Sequence, residues 1–496
     1  MISLVKRNVK LYFKDKGMFL TSLLIPCSSE CSVSLSKKAT IKEASSDPYL
    51  LKIYNCEDYI YEDEETGVTM VDEFEKWYEN TYNVDITVEY DTYATNETMY
   101  NQVVNLQNHY DIVVASDYMI EKMRNEGYLE KFDYSKLPNY TNYVSPYLKN
   151  IFDENGYTEY STAYMWGTMG MIYNPEVVDE QDVKSWDIMW NKKYQNKISI
   201  KDSMRDTYIL GIFRAYKHVF DLLREQLEEG LITPSYYNQK VNEYFNLCDD
   251  ETISEVEYAL KTLKENVYGF EVDSGKNDIV TGKIDINFAW SGDAVYAIYL
   301  AAEENDQRLC YSLPEEGSNV WFDGFAMPKG ANTELAYAFI NYLSDPDNAV
   351  KNMDYIGYTT AIAGDTVIDY LHDCYDADES ETDTFSLDLG YFFNGTISAD
   401  KSAVIVAPSS EKNGMLETQY PSEELLQRCG VMHDFGAQNE EVVSMWTRVR
   451  ASDLSIGTYI FLGVILLGGV GFGIYSVVKK HKAKKRREAR RGSKNA

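Results

Sequence analysis

The chain is poor in the groups that hold metals and run thiol chemistry. Its 496 residues include seven cysteines, Cys27, Cys31, Cys56, Cys248, Cys310, Cys374 and Cys429, widely spaced, odd in number, and without CxxC or a Cys/His metal spacing. That pattern excludes a zinc module and predicts no obligatory disulfide. The five histidines, His109, His218, His372, His433 and His481, form neither HExxH nor an i, i+4 pair. No GxxxxGK[ST] is present, so nothing in the sequence cradles the phosphates of ATP. Basic residues are scarce too: 47 Lys/Arg stand against 79 Asp/Glu for a net charge of −32, which makes nucleic acid a poor partner. None of these patterns calls for a cofactor.

What is present is apolar and aromatic. A hydrophobic content of 44% with 42 Tyr and 7 Trp is ample for packing, and the length predicts two or three compact units with appendages. Charge is unevenly placed, since 479–496 holds ten Lys/Arg against Glu488 alone. Before it, Ile456 to Val478 is uncharged, Gly-rich and about the 20 residues a bilayer crossing needs, so one transmembrane helix is expected at 456–478. The positive-inside tendency then puts the basic tail 479–496 in the cytoplasm and the acidic body on the extracytoplasmic face of the plasma membrane. At the other end, Lys6, Arg7, Lys10, Lys14 and Lys16 precede a short apolar run, Met18 to Cys27. Residues 1–47 read as an export signal or a permease-like lead-in and linker, closing on Ser45-Ser46-Asp47-Pro48. Leu24-Ile25-Pro26-Cys27 resembles a lipoprotein cleavage box but departs from it at Pro26.

From there, strand and helix patterns alternate as in an α/β fold. Leu50–Tyr54 reads as a strand; Met70, Phe74, Trp77 and Tyr78 share a helical face; Val84–Tyr90 alternates; Ile112-Val113-Val114 is a buried strand ending at Ser116. Ligands of open α/β sheets sit outside the carboxyl ends of strands, which makes Cys56 to Tyr59 and Ser116 to Tyr118 candidate wall. A second set follows: Ile198–Ile200 before Asp202 and Arg205, a helix over Phe213–Leu227, then Ile284–Trp290 before Asp293. The expectation is a two-lobed domain over 48–455. Its first lobe covers about 48–165 plus a later return, with helix Glu334–Leu343, and its second about 166–320 plus a C-terminal part.

Two stretches, Trp290-Ser291-Gly292-Asp293 and Trp321-Phe322-Asp323, set an indole beside a carboxylate. A desolvated ammonium costs several kcal/mol unless carboxylates neutralise it. Its methylene chain favours flat aromatic walls, which add a cation–π attraction of about 0.5–2 kcal/mol each. The two stretches therefore point to capture of an organic cation. Asp293 could equally cap a helix, and Asp206 could simply pair with Arg205. Cys56 reads as a small filler, with no His nearby in sequence to activate it.

From about Leu50 to Arg450 the chain resembles the spermidine/putrescine-binding proteins of bacterial ABC transporters. The matching stretches include Ile53-Tyr54-Asn55 with Tyr59, Thr95-Asn96-Glu97-Thr98-Met99-Tyr100, Tyr110-Asp111-Ile112-Val113-Val114 leading to Ser116-Asp117-Tyr118, Trp166-Gly167-Thr168, Ser185-Trp186, and Gly357-Tyr358-Thr359-Thr360. The resemblance implies a hinge-closing, periplasmic-binding-protein-like fold that clamps a polyamine and hands it to a permease with a separate ATPase, with no chemical transformation. By position it implies Trp290, Trp321 and Tyr358 as aromatic walls, Asp323 and Asp206 as ammonium-binding acids, Ser116 and Tyr118 as orienting groups, and Asp293 as an acid of the putrescine-binding branch. This chain departs from the family at Cys56, where a Trp is common, and at Ser203, where the spermidine branch has an acid. Glu57 beside Cys56 adds negative charge to the expected pocket. The alternatives are another cationic ligand on the same fold, or a surface-anchored hydrolase using aromatic platforms and paired carboxylates on carbohydrate.

Overall fold

The computed structural model describes residues 47–63 and 65–451. Contacts divide the chain after Met445 into a large body and a part beginning at Trp446, of which residues 446–451 are described.

Strand-forming runs frame the body. β1 (Leu50–Cys56) lies parallel between β2 (Thr87–Tyr93) and β3 (Ile112–Ser116). β3 reads Ile-Val-Val-Ala-Ser and is buried at every residue but the last, as an inner strand of a parallel sheet should be. Helix Met70–Tyr82 joins β1 to β2. It starts on a capping box in which Thr69 and Asp72 each accept the other's backbone N–H, and it buries Met70, Val71 and Phe74.

Beyond β3 the sheet continues through antiparallel β9 (Val320–Ala326), β4 (Thr162–Tyr173) and β7 (Ile286–Trp290), then parallel β5 (Ile198–Lys201) and β6 (Gly269–Glu271). β4 joins the halves. All 12 of its residues are buried; Thr162–Thr168 pair with β9, and Met169–Tyr173 pair with β7. Each half has its own apolar core, one including Ile53, Val113 and Phe325, the other Ile172, Ala289 and Leu309. The expected two-lobed α/β architecture is the observed one. The parallel strands end at Cys56, Ser116, Lys201 and Trp290, and ligand sites of α/β sheets form beyond such carboxyl ends.

Some elements differ from expectation. The helix expected over Phe213–Leu227 is two, Met204–Ala215 and Lys217–Glu228, because Tyr216 leaves helical geometry at φ −103°, ψ 21°. The strand expected from Val84 starts at Thr87, since Asn83 closes the preceding helix in the left-handed region at φ 54°. The transmembrane helix is corrected. Its stretch, 456–478, lies outside the described residues, and among the described residues no helix is long and apolar enough to cross a membrane. The expectation rested on apolar composition, which by itself specifies neither a helix nor a bilayer around it. The lead-in 1–46 and the tail 479–496 also lie outside the described residues.

Candidate functional site

Backbone register builds the centre of the site. β9 sets Asp323 opposite Ser116 of β3 on one side and Met165 of β4 on the other. Ser116 Oγ donates to Asp323 Oδ1 at 2.6 Å, and Tyr59 OH donates to Oδ2 at 2.8 Å. Asn96 fixes Ser116: its Nδ2 donates to the Ser116 hydroxyl at 2.9 Å, and its Oδ1 accepts the Ser116 N–H at 3.2 Å. Burial pushes the Asp323 carboxyl above the usual carboxylate range, and the two hydroxyls offset this only in part. Among the described residues, no cation is among the groups that act on it. Two of the roughly four lone-pair positions of a carboxylate are taken, so about two remain for an incoming donor.

Trp321 precedes Asp323 by two residues and projects from the same face of β9. Its ring lies 5.4 Å from that of Tyr358 at 66°, and Tyr358 lies 5.7 Å from Tyr59 at 84°. Two glycines make room. A Cβ on Gly167, opposite Trp321, would fall 2.3 Å from Ser291 Oγ and 2.7 Å from Trp321 Cζ2; on Gly292 it would fall 2.4 Å from the Tyr358 ring. Trp321 Nε1 is buried without a hydrogen-bond partner among the described residues.

Trp290 ends β7, and its indole is among the groups that favour the charged form of Asp206. Burial raises the Asp206 carboxyl, partly offset by Ser203, Arg205, Lys201 and Trp290. Ser203 caps helix Met204–Ala215, its hydroxyl accepting the Asp206 N–H at 3.5 Å. Asp293 lies in the first turn of helix Ser291–Asn305 and is not its cap. Its Oδ2 is 2.8 Å from Lys201 Nζ and its Oδ1 3.8 Å from Lys276 Nζ, while Tyr358 OH reaches Oδ1 at 3.4 Å. Burial favours the neutral acid here, but the two lysines outweigh it and hold the Asp293 carboxyl below its ordinary value. The 2.8 Å contact is an ion pair that leaves Oδ2 without a well-aligned donor.

Trp290, Trp321, Tyr358, Asp323, Asp206, Asp293 and Ser116 thus lie in one linked cluster. Tyr118 is at its margin: Arg205 stacks over the ring at 5.7 Å and the hydroxyl donates to Glu97 at 3.1 Å. Glu57 is exposed on the turn after β1, outside the hydrogen-bonded cluster. The Cys56 thiol is pushed up to about 12 by burial first and Asp323 second, which suits a filler and not a nucleophile. Sequence reasoning gave no role to Asn96, which sat in a quoted motif, or to Lys201. The only available signal for Lys201 was its place at a strand's carboxyl end. His433 lies apart, its Nδ1 3.0 Å from Glu121.

Residues 69–364 match the model of the bacterial extracellular solute-binding proteins. The chain belongs to that family. A spermidine/putrescine-binding periplasmic protein of Escherichia coli is 30% identical to this solute-binding protein over 282 residues, covering 56% of this chain and 72% of that one. The putrescine-binding periplasmic protein PotF of the same organism is 29% identical over 318 residues, covering 63% and 77%. Among solved structures, the spermidine/putrescine ABC transporter substrate-binding protein PotD of Streptococcus pneumoniae superposes with a TM-score of 0.53 at 26% identity, over 81% of this chain and 99% of that one. A Listeria monocytogenes structure with a TM-score of 0.57 at 24% identity, over 81% and 99%, shares the fold. The curated relatives are named periplasmic, so the single-pass plasma-membrane localisation expected from the sequence is not supported and is withdrawn.

Proposed function

We propose that this solute-binding protein captures a polyamine for an ABC importer, with Asp323 as the principal ammonium acceptor. The observation that carries the reading is the state of Asp323: half-buried, oriented by Ser116 and Tyr59, flanked by Trp321 and Tyr358, and, among the described residues, acted on by no cation. An uncompensated buried carboxylate is costly, and an alkylammonium relieves that cost while its methylenes lie on the aromatic faces. Asp206, also raised by burial and held by Trp290, is the second anchor. Closure of the two lobes removes the amine's water shell, and opening at the permease restores it. The relatives named for spermidine and putrescine support the same ligand class. Transport needs a permease and an ATPase on other chains, because this one carries no GxxxxGK[ST].

Calorimetric titration of the full chain with putrescine, spermidine, spermine, agmatine, arginine and a few sugars tests the reading. Saturable heat with a di- or triamine, and no product, is expected. Heat with a sugar and none with any amine rejects it and favours the hydrolase alternative.

A further inference from the structure

One ammonium is already in the cleft, and the chain itself supplies it. Lys201, the last residue of β5, is 1% exposed. Its Nζ lies 2.8 Å from Asp293 Oδ2, 3.3 Å from Glu271 Oε1, 3.0 Å from the Val272 carbonyl and 4.7 Å from the centre of the Trp290 ring. Two carboxylates, a carbonyl and an indole face make up the environment an alkylammonium seeks. A lysine side chain is four methylenes ending in an ammonium, which is chemically a tethered butylammonium. Lys276, paired with Asp273 at 2.6 Å, also stands 3.8 Å from Asp293 Oδ1.

We propose that Lys201 is a built-in occupant of the Trp290–Asp293 end of the cleft, so that the protein selects diamines over triamines and tetramines. The inference rests on the polyamine reading and adds the charge count of the ligand. With Asp293 and Glu271 held by Lys201, Asp323 and Asp206 are the acids assigned to a guest, one for each end of a diamine; Asp206 is offset only in part by Arg205 and Lys201. A third ammonium would have to displace Lys201 from Asp293, Glu271 and the Trp290 face, or lie beside it, where like charges repel. Asp293, the acid position of the putrescine-binding branch, is thereby converted from a ligand acceptor into an anchor for an internal cation.

The test is calorimetry on the full chain with 1,4-diaminobutane and spermidine, repeated on Lys201→Met, which keeps an unbranched apolar stem one atom shorter and removes the charge. The wild type should bind the diamine at least about ten-fold tighter than spermidine. In Lys201→Met, Asp293 is released, and spermidine should tighten about ten-fold or more relative to the diamine. A purely structural lysine would change both affinities together and leave their ratio fixed. Wild-type protein that holds spermidine as tightly as the diamine overturns the inference without needing the variant, and so does an unchanged ratio in Lys201→Met. Failure to bind any amine overturns the polyamine reading itself, and this inference with it.

Discussion

Asp323 has its conformation fixed by two hydroxyls, and among the described residues no cation balances its charge. Replacing it with Asn keeps the shape and removes the charge, so Asp323→Asn should weaken amine binding by about 1–3 kcal/mol in calorimetry with little change in the fold. Trp321→Ala should cost a similar amount, about 1–3 kcal/mol, through lost stacking. Retained affinity in both would move the site elsewhere. The raised carboxyls also give pH a sign. Folding raises Asp323 and Asp206 above their unfolded values. Each therefore costs stability as pH rises from the unfolded toward the folded value, and the cost persists above it. A bound ammonium favours the ionised form. Affinity should therefore rise as pH climbs through that window, by at most about ten-fold per pH unit for each proton released. Titrations in buffers of different ionisation enthalpy should show proton release on binding that fades as pH rises above the folded values; a pH-independent affinity would sink the assignment.

At the scale of elements, the pairing of β4 with β9 and β7 does most of the positioning. Met165, Gly167 and Met169 sit opposite Asp323, Trp321 and Trp290 in turn, so the two-residue period of β4 brings all three site residues to one face of the sheet. Gly167 is a glycine because of what lies across from it. Gly167→Ala should overpack Ser291 and Trp321 and destabilise the protein by about 1–3 kcal/mol in denaturant unfolding, with a change in Trp fluorescence in the native state. Wild-type stability and fluorescence would mean the contacts around Trp321 are looser than described. The sequence indicated β3 and β9 through their apolar runs and turn residues. It could not indicate which strand lies beside which, because antiparallel β9 inserts between β3 and β4 from almost 150 residues downstream of the latter.

For the whole molecule, the relevant contacts are those between the lobes. Helix Asp117–Asn125 follows β3, and its Glu121 pairs with His433 at 3.0 Å and accepts the Asp434 N–H at 2.8 Å. The segment around His433 is fastened to the other lobe, its N–H donating to Asn246 Oδ1 at 2.8 Å and its carbonyl accepting from Arg205, whose guanidinium stacks on Phe435 at 3.6 Å. The Glu121–His433 pair is partly exposed, with side chains 15% and 29% accessible, which places its worth within about 1 kcal/mol. Glu121→Gln should therefore speed amine dissociation only a few-fold in stopped-flow measurements, with association nearly unchanged. A large loss of affinity would mean that this contact is central to closure. The family resemblance made two lobes legible, and the indole–carboxylate pairs marked the cluster in which the cation site is proposed. The membrane-spanning element, inferred from composition alone, was not supported.

The sequence by itself determined the residue chemistry: which stretches are apolar enough to be inner strands, where indole and acid are neighbours, and that neither thiol, metal nor nucleotide chemistry is provided for. Those are local properties, set by composition and by spacings of a few residues. Tertiary structure decided which acids are available to a guest. Asp293 and Asp323 look alike in sequence, each shortly after a Trp, yet the first is paired with lysines 92 and 17 residues away while the second, among the described residues, is held by hydroxyls alone. Charge compensation acts through space, and only the strand order and register that bring β5 beside β7, and β3 beside β9, fix which charges meet.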